Sequence, residues 1–196
     1  DFMFSSNGLL FAHSSFGIDP VLTINLPAPT YPVTGFSITS QIPVNEHFKV
    51  RLGAFDGQFS MPENKYLGLD WSISRDEGLL LLSEFEIDLF QNDLNQKFGI
   101  YHHSGVFYNY VEEERTRGQT AFYYIADWKA FQWNGTSTNF FVQFDKAQRS
   151  NSQILYYFGG GIKLERYSKK NKKRELGLAF GHAEVNEVDE VILQNT

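Results

Sequence analysis

The sequence predicts an all-β protein of antiparallel up-and-down strands, and three observations predict it. Aromatic residues make up 16% of 196, with nineteen Phe and ten Tyr against six Pro and two Met, a composition suited to a pleated surface. Nine segments alternate apolar and polar residues with period two, at roughly 8–15, 33–42, 47–56, 78–88, 96–106, 119–131, 137–146, 152–167 and 172–185. The links between them alternate in character: short polar turns at PVNEH, QNDLNQ, WNGT and SKKNK, and mostly longer links at GIDPVLTINLPAPTYP, GQFSMPENKYLGLDWSISRDE and NYVEEERTRG, with KAQRSN the short member of that second set. No segment reads as a helix. Tight turns at one rim and long loops at the other are the organisation of a transmembrane β-barrel.

Each element carries one apolar row. The first, GLLFAHSS, leads into the Pro-rich link. In the second, Phe36, Ile38 and Ile42 oppose Ser37, Thr39 and Gln41. HFKVRLGAFDG sets Phe48, Val50, Leu52 and Ala54 against Lys49, Arg51, Gly53 and Phe55. EGLLLLSEFEIDLF is broken by Glu84 and Glu86, so it is not the run of about 20 apolar residues that a transmembrane helix needs. Phe98 and Ile100 oppose Lys97, Gly99 and Tyr101; Phe122, Tyr124, Ala126 and Trp128 oppose Tyr123, Asp127 and Lys129. Phe140, Val142 and Phe144 oppose Asn139, Gln143 and Asp145. Ile154, Tyr156, Phe158, Ile162 and Leu164 oppose Gln153, Tyr157, Lys163 and Glu165, and in the last segment Leu176, Leu178 and Phe180 oppose Glu175, Gly177, Ala179 and Gly181.

Alternation alone suits a soluble sandwich as well as a membrane barrel. Three features favour the barrel. Aromatics fall near strand ends (Tyr101, Trp128, Phe131, Trp133, Phe144, Tyr167), where interfacial girdles sit. Several segments exceed about ten residues, the length of a tilted bilayer span. The mean hydropathy is low, −0.33, as expected when half of every strand faces water. On this reading Phe48, Val50, Leu52 and Ala54 face lipid while Lys49 and Arg51 face a bore.

Composition narrows the function classes. There is no cysteine, which excludes disulfides and thiolate metal sites. A net charge of −6 argues against nucleic acid as a partner. The start at DFMFSS carries neither an initiator Met nor a secretory signal, so the chain reads as processed or cut.

The segments LLFAHSSFG, FKVRLGAFDG, KFGIYHHSG, AFYYIADWKAF, GGGIKLERY and RELGLAFGHAE resemble, in this order, the OprB-type carbohydrate-selective porins. The resemblance covers nearly the whole chain. It implies an outer-membrane barrel of a Gram-negative bacterium, of sixteen strands, with an arginine- and glutamate-lined constriction that passes monosaccharides by diffusion. Nine strands are too few and odd in number, and EVILQNT lacks the terminal aromatic of such barrels. The expectation is therefore a single barrel segment over 1–196, incomplete at both ends, completed by further strands of the same protein or of another outer-membrane subunit.

Carried over by position, the inward row supplies Lys49, Arg51, Glu84, Glu86, Lys97, Asp127, Lys129, Gln143, Asp145, Lys163 and Glu165 as pore-lining residues. Charges of both signs and amides offer partners to sugar hydroxyls without a single-sign field that would select ions. Mutual pairing of these charges is the plainer role for each. Arg51, whose planar fork can grip vicinal hydroxyls, is the leading single candidate. Tyr101 and Tyr157, with Phe141 and Phe55, could stack on sugar faces or pack inside the bore.

The histidines His13, His47, His102, His103 and His182 do not make a metal site, since only His182 shares a strand face with a nearby carboxylate, Glu184. His103 and Ser104, as strand neighbours, cannot form a nucleophile–base contact. The basic run from Lys169 to Arg174 reads as a solvated turn, and NGT at Asn134 as a chance sequon. The expectation is thus a non-enzymatic channel without cofactor or metal. Its partners would be mono- or oligosaccharides and outer-membrane lipid, not nucleic acid. The alternative is a soluble or secreted lectin-like carbohydrate-binding module, and behind it stands an outer-membrane hydrolase.

Overall fold

Among the described residues, eight strands pair in chain order in one antiparallel sheet. They are β1 (Ser37–Pro43), β2 (Phe48–Asp56), β3 (Leu79–Leu89), β4 (Leu94–Asn109), β5 (Glu114–Trp133), β6 (Thr136–Ala147), β7 (Ile154–Tyr167) and β8 (Lys173–Val185). The computed structural model describes residues 2–17, 19–27, 36–57, 76–91, 93–109, 113–167 and 173–186. Among them β1 and β8 each have one paired neighbour, so the sheet is open at both edges.

The sequence expectation of nine strands falls short at its first member. Residues 8–15 do not join the sheet; they form two 3-10 turns, Gly8–Leu10 and Ser14–Phe16. The reason is local: the His13 ring accepts from the Ser15 amide, which caps the second turn and ends any extended run. A short helix, α1 (Pro20–Asn25), follows where none was expected. Asp19 caps it, accepting from Val21 N at 2.7 Å, and Pro20 occupies the first turn where its missing N–H costs nothing.

A second difference concerns NYVEEERTRG. Most of it is strand: Tyr108 pairs with Arg115 and Asn109 with Glu114, so the β4–β5 connection is short. The turns at PVNEH, QNDLNQ and WNGT keep their predicted rim, while SKKNK lies outside the described residues. The turns at 44–47, 90–93 and 134–135 lie at one rim, and the loop that begins after Asp56 lies at the other, where Asp56 N donates to Phe36 O. The interiors of the links 17–32 and 57–77 fall largely outside the described residues.

Residues 2–26 pack across one face of the sheet, its inner face. Met3, Val21, Leu22 and Leu26 meet Leu80, Leu82, Tyr101, Ala121, Tyr123, Ile125, Ala147, Ile154 and Tyr157 in the apolar core. The outer face is uncovered and apolar, with Ile38, Leu52, Phe85, Ile100, Phe122, Trp128 and Phe158 exposed. Aromatic pairs run along it from strand to strand, Phe48 on Phe85, Phe98 on Tyr124, Phe122 on Phe144 and Trp128 on Phe140. Phe131, Trp133 and Tyr167 stand exposed at the turn rim, as a girdle would. Tyr101 does not: it is buried in mid-strand on the inner face.

Candidate lumen site

The inner rows of β3 to β7 carry residues 2–26, and strand register decides which charges meet. Lys49 stands opposite Glu86, and Arg51 opposite Glu84. The Arg51 guanidinium bridges Glu84 and Glu86 and donates from Nε to Gln41 Oε1 at 2.9 Å. Lys49 Nζ lies 3.2 Å from Glu86 and 3.3 Å from Asp88, and Asn95 donates to the same two carboxylates. Glu84 is wholly buried, which a carboxylate tolerates only with several donors. It has them: Arg51, the Tyr123 hydroxyl at 2.8 Å and the Met3 amide at 3.0 Å.

The polar groups of residues 2–26 complete the inner face. Asp127 accepts from Ser5 Oγ at 2.6 Å, Ser6 N at 3.0 Å and Asn7 N at 3.1 Å. Lys97 donates to Phe4 O at 2.8 Å and sits 4.2 Å from the Phe4 ring. Gln143 donates to Phe16 O, and the Tyr157 hydroxyl to Ser15 Oγ. Asn25 binds the start of β7 like one more strand residue, donating to Ile154 O and accepting from Gln153 N and Ile154 N, each at 2.8 Å. Asp19, at the start of α1, is buried, and burial raises its carboxyl from 3.8 to about 6.

The aromatic members of the inner row lie flat. The Tyr123 ring covers Gly99, Tyr157 covers Gly159 and Gly181, and Phe141 covers Gly161, so closely that a methyl group on any of these glycines would overlap the ring. Phe141 also meets Phe11 and Phe16, and Phe55 meets Phe2. These aromatics are therefore packed beneath the segment rather than open to passing solute.

The structure thus brings most of the sequence-selected residues into one connected layer, but not all. Lys49, Arg51, Glu84 and Glu86 form an ion cluster, and Lys97, Tyr101, Asp127, Gln143, Asp145 and Tyr157 form the seat of residues 2–26. Lys163 and Glu165 stand apart near the turn rim in a box of alternating charge with Lys173 and Glu175, at 2.8 to 3.8 Å. Lys129 also stands apart, half exposed beside a bulge and 3.8 Å from Asp93. The sequence reading passed over Ser5, Asp19 and Asn25 as lumen residues. The Asp-Pro pair at 19–20 is a helix-start signal that could have drawn attention to the segment.

His103 is a structural residue. Its Nε2 pairs with Gly57 O at 2.8 Å and its Nδ1 accepts from Gly105 N, which ties the loop after β2 to the bulge in β4. A cavity of about 770 Å³ remains between the segment and β8, bordered by His13, Ser14, Thr23, Ile24 and the small residues Ala179, Gly181 and Ala183.

No family model matches the sequence, and no curated protein matches it. Among solved structures, the chain is similar to the high-pH structure of OprB from Pseudomonas putida, with a TM-score of 0.69 at 15% identity, over 84% of this chain and 43% of that one. The chain spans less than half the length of that protein. The likeness shows the fold: these strands are laid out as a stretch of porin β-barrel wall.

Proposed function

We propose that the chain forms part of the wall of an outer-membrane channel for passive diffusion of small hydrophilic solutes, carbohydrates among them, with residues 2–26 narrowing the lumen. One observation carries this reading. The sheet buries its charges and exposes its apolar row: Glu84, Glu86, Lys97, Asp127 and Lys163 are buried on the inner face while Leu52, Phe85, Ile100, Phe122 and Phe158 are exposed on the outer. Water would disfavour that arrangement, and hydrocarbon favours it. The edges of β1 and β8 support completion by further strands, because open edges in hydrocarbon leave amides and carbonyls without partners.

A lectin-like sandwich would need a second sheet packed on the apolar row, and among the described residues there is one sheet. The inner face differs from a bare bore in one respect: Arg51 is engaged by two carboxylates and Gln41, so it is a wall-building residue before it is a solute-gripping one. Solute contact falls instead to the cavity beside β8, where His13, Ser14 and Thr23 offer hydroxyl and imidazole partners beside a floor of small residues.

The test is reconstitution of the full-length protein in liposomes, with swelling followed in monosaccharides and in equally sized charged solutes. Swelling in neutral sugars, with Ala183→Trp slowing it, is the expected result. A protein that stays folded and monomeric without detergent, and leaves liposomes impermeable, would overturn the reading.

A further inference from the structure

Two arginines stand directly opposite each other on the outer face near the turn rim. Arg166 of β7 pairs with Arg174 of β8, and both continue the apolar row, Arg166 beyond Leu164 and Arg174 beyond Leu176, with all four exposed. Like charges in directly opposed positions repel, and an anion between them relieves the repulsion. One residue away, on the inner face, Glu165 opposes Glu175, and there the chain supplies the counter-charges itself: Lys163 and Lys173 each reach both carboxylates, at 2.8 to 3.8 Å. The two arginines have no ion pair or side-chain hydrogen bond among the described residues. Register also sets their depth. Trp133 pairs with Thr136, Thr136 with Arg166 and Arg166 with Arg174, one line across β5 to β8. Trp133 is exposed on that line, at the level where an indole marks the boundary of the hydrocarbon.

We propose that Arg166 and Arg174 clamp the phosphate of an anionic phospholipid whose acyl chains lie along Leu164, Leu176 and Leu178. A guanidinium fork matches two phosphate oxygens, and two forks facing each other share one anion. The exposed leucines next to the arginines on the same row give the acyl chains a surface, which free phosphate would not use. The anion thus does on the outer face what Lys163 and Lys173 do on the inner one. The proposal rests on the outer row facing lipid and not on the passage of solutes.

The experiment titrates the full-length protein in nonionic detergent with phosphatidylglycerol or with phosphatidylcholine, whose choline neutralises its phosphate, and counts bound lipids by native mass spectrometry. One phosphatidylglycerol held about tenfold or more tighter than phosphatidylcholine is the expected result. Arg166→Gln and Arg174→Gln should each weaken it about fivefold, the worth of one basic side chain at an anionic surface. Arg115→Gln, the same charge change at the far rim, should leave it unaltered. Melting separates the clamp from a role in folding: without lipid Arg174→Gln should melt no lower than the wild type, since it removes a repulsion, and with phosphatidylglycerol it should melt lower. Equal affinity for the two lipids would overturn the proposal, as would equal weakening by Arg115→Gln or stabilisation by inorganic phosphate equal to that by the lipid. A lower melting point of Arg174→Gln without lipid would overturn it in favour of an acid on an adjoining strand. A protein that folds and stays dispersed without detergent would overturn the membrane reading as well, whereas loss of the lipid preference alone leaves that reading standing.

Discussion

The Tyr123 hydroxyl donates to Glu84 across an entire intervening strand, at 2.8 Å. Register explains the reach: Glu84 pairs with Gly99, and Gly99 with Tyr123, so the three form one line across β3, β4 and β5. The ring crosses β4 because Gly99 has no side chain to stop it. Gly99→Val should displace the ring and break the bond, costing about 1 to 3 kcal/mol from overpacking. Denaturant unfolding of the refolded protein measures it, and adding Tyr123→Ala should recover part of the loss.

Ala126 lies on the outer row of β5 between Tyr124 and Trp128. In a bilayer Ala126→Arg should cost about 2 to 4 kcal/mol near mid-membrane, while Ala126→Leu should cost little. Refolding into lipid vesicles distinguishes them. A charge at Tyr123, which the bare-bore picture would tolerate, should instead be poorly accepted, because that side chain is buried under residues 2–26 and bonded to Glu84.

Arg51→Ala should destabilise the protein before it alters flux. It removes the cation from wholly buried Glu84, leaving only Tyr123 and Met3 as donors, at a cost of about 3 kcal/mol. Adding Glu84→Gln should recover much of this, and the double-mutant cycle reads the coupling. Sugar flux through Arg51→Ala should still change more than through a substitution of Lys172, a turn residue that lies outside the described residues.

Asp127→Ala should free the first turn of the segment. Three donors, Ser5, Ser6 and Asn7, lose their acceptor at once, and each bond to a carboxylate is worth about 1.5 to 3 kcal/mol. Chymotrypsin cleavage at Phe11 in micelles should rise at least tenfold, with the barrel itself left resistant.

The strands were legible because their information is local. A period of two in Phe122, Tyr124, Ala126 and Trp128 assigns the outer face without reference to any other part of the chain. The inner charges were legible as a row, but not their pairing, since which carboxylate meets Arg51 depends on the register of β2 on β3. Residues 8–15 misled because Leu10, Ala12 and Ser14 alternate with Phe11 and His13 as a strand would, while their partners lie far along the chain, Phe11 on Phe141. EEERTR reads as loop because six polar residues in a row carry no apolar period, yet backbone pairing of Val106 to Asn109 carries the hairpin through Glu114, Arg115, Thr116 and Arg117. Tyr101 was taken for a girdle residue because sequence distance from a turn does not tell which face, or which depth, a bulged strand gives it.

The separation in sequence between the two halves of the core orders their assembly. Every strand pairs with a neighbour next to it in the chain, so the sheet can grow by closing one hairpin after another. Residues 2–26 bind partners at far greater distance, 122 positions from Ser5 to Asp127 and 129 from Asn25 to Ile154. Their binding surface does not exist until β3 to β7 stand side by side. The wall must therefore be complete before it can be filled, and a chain whose segment cannot dock should still reach its strand pairing, arrested with the entrance unblocked.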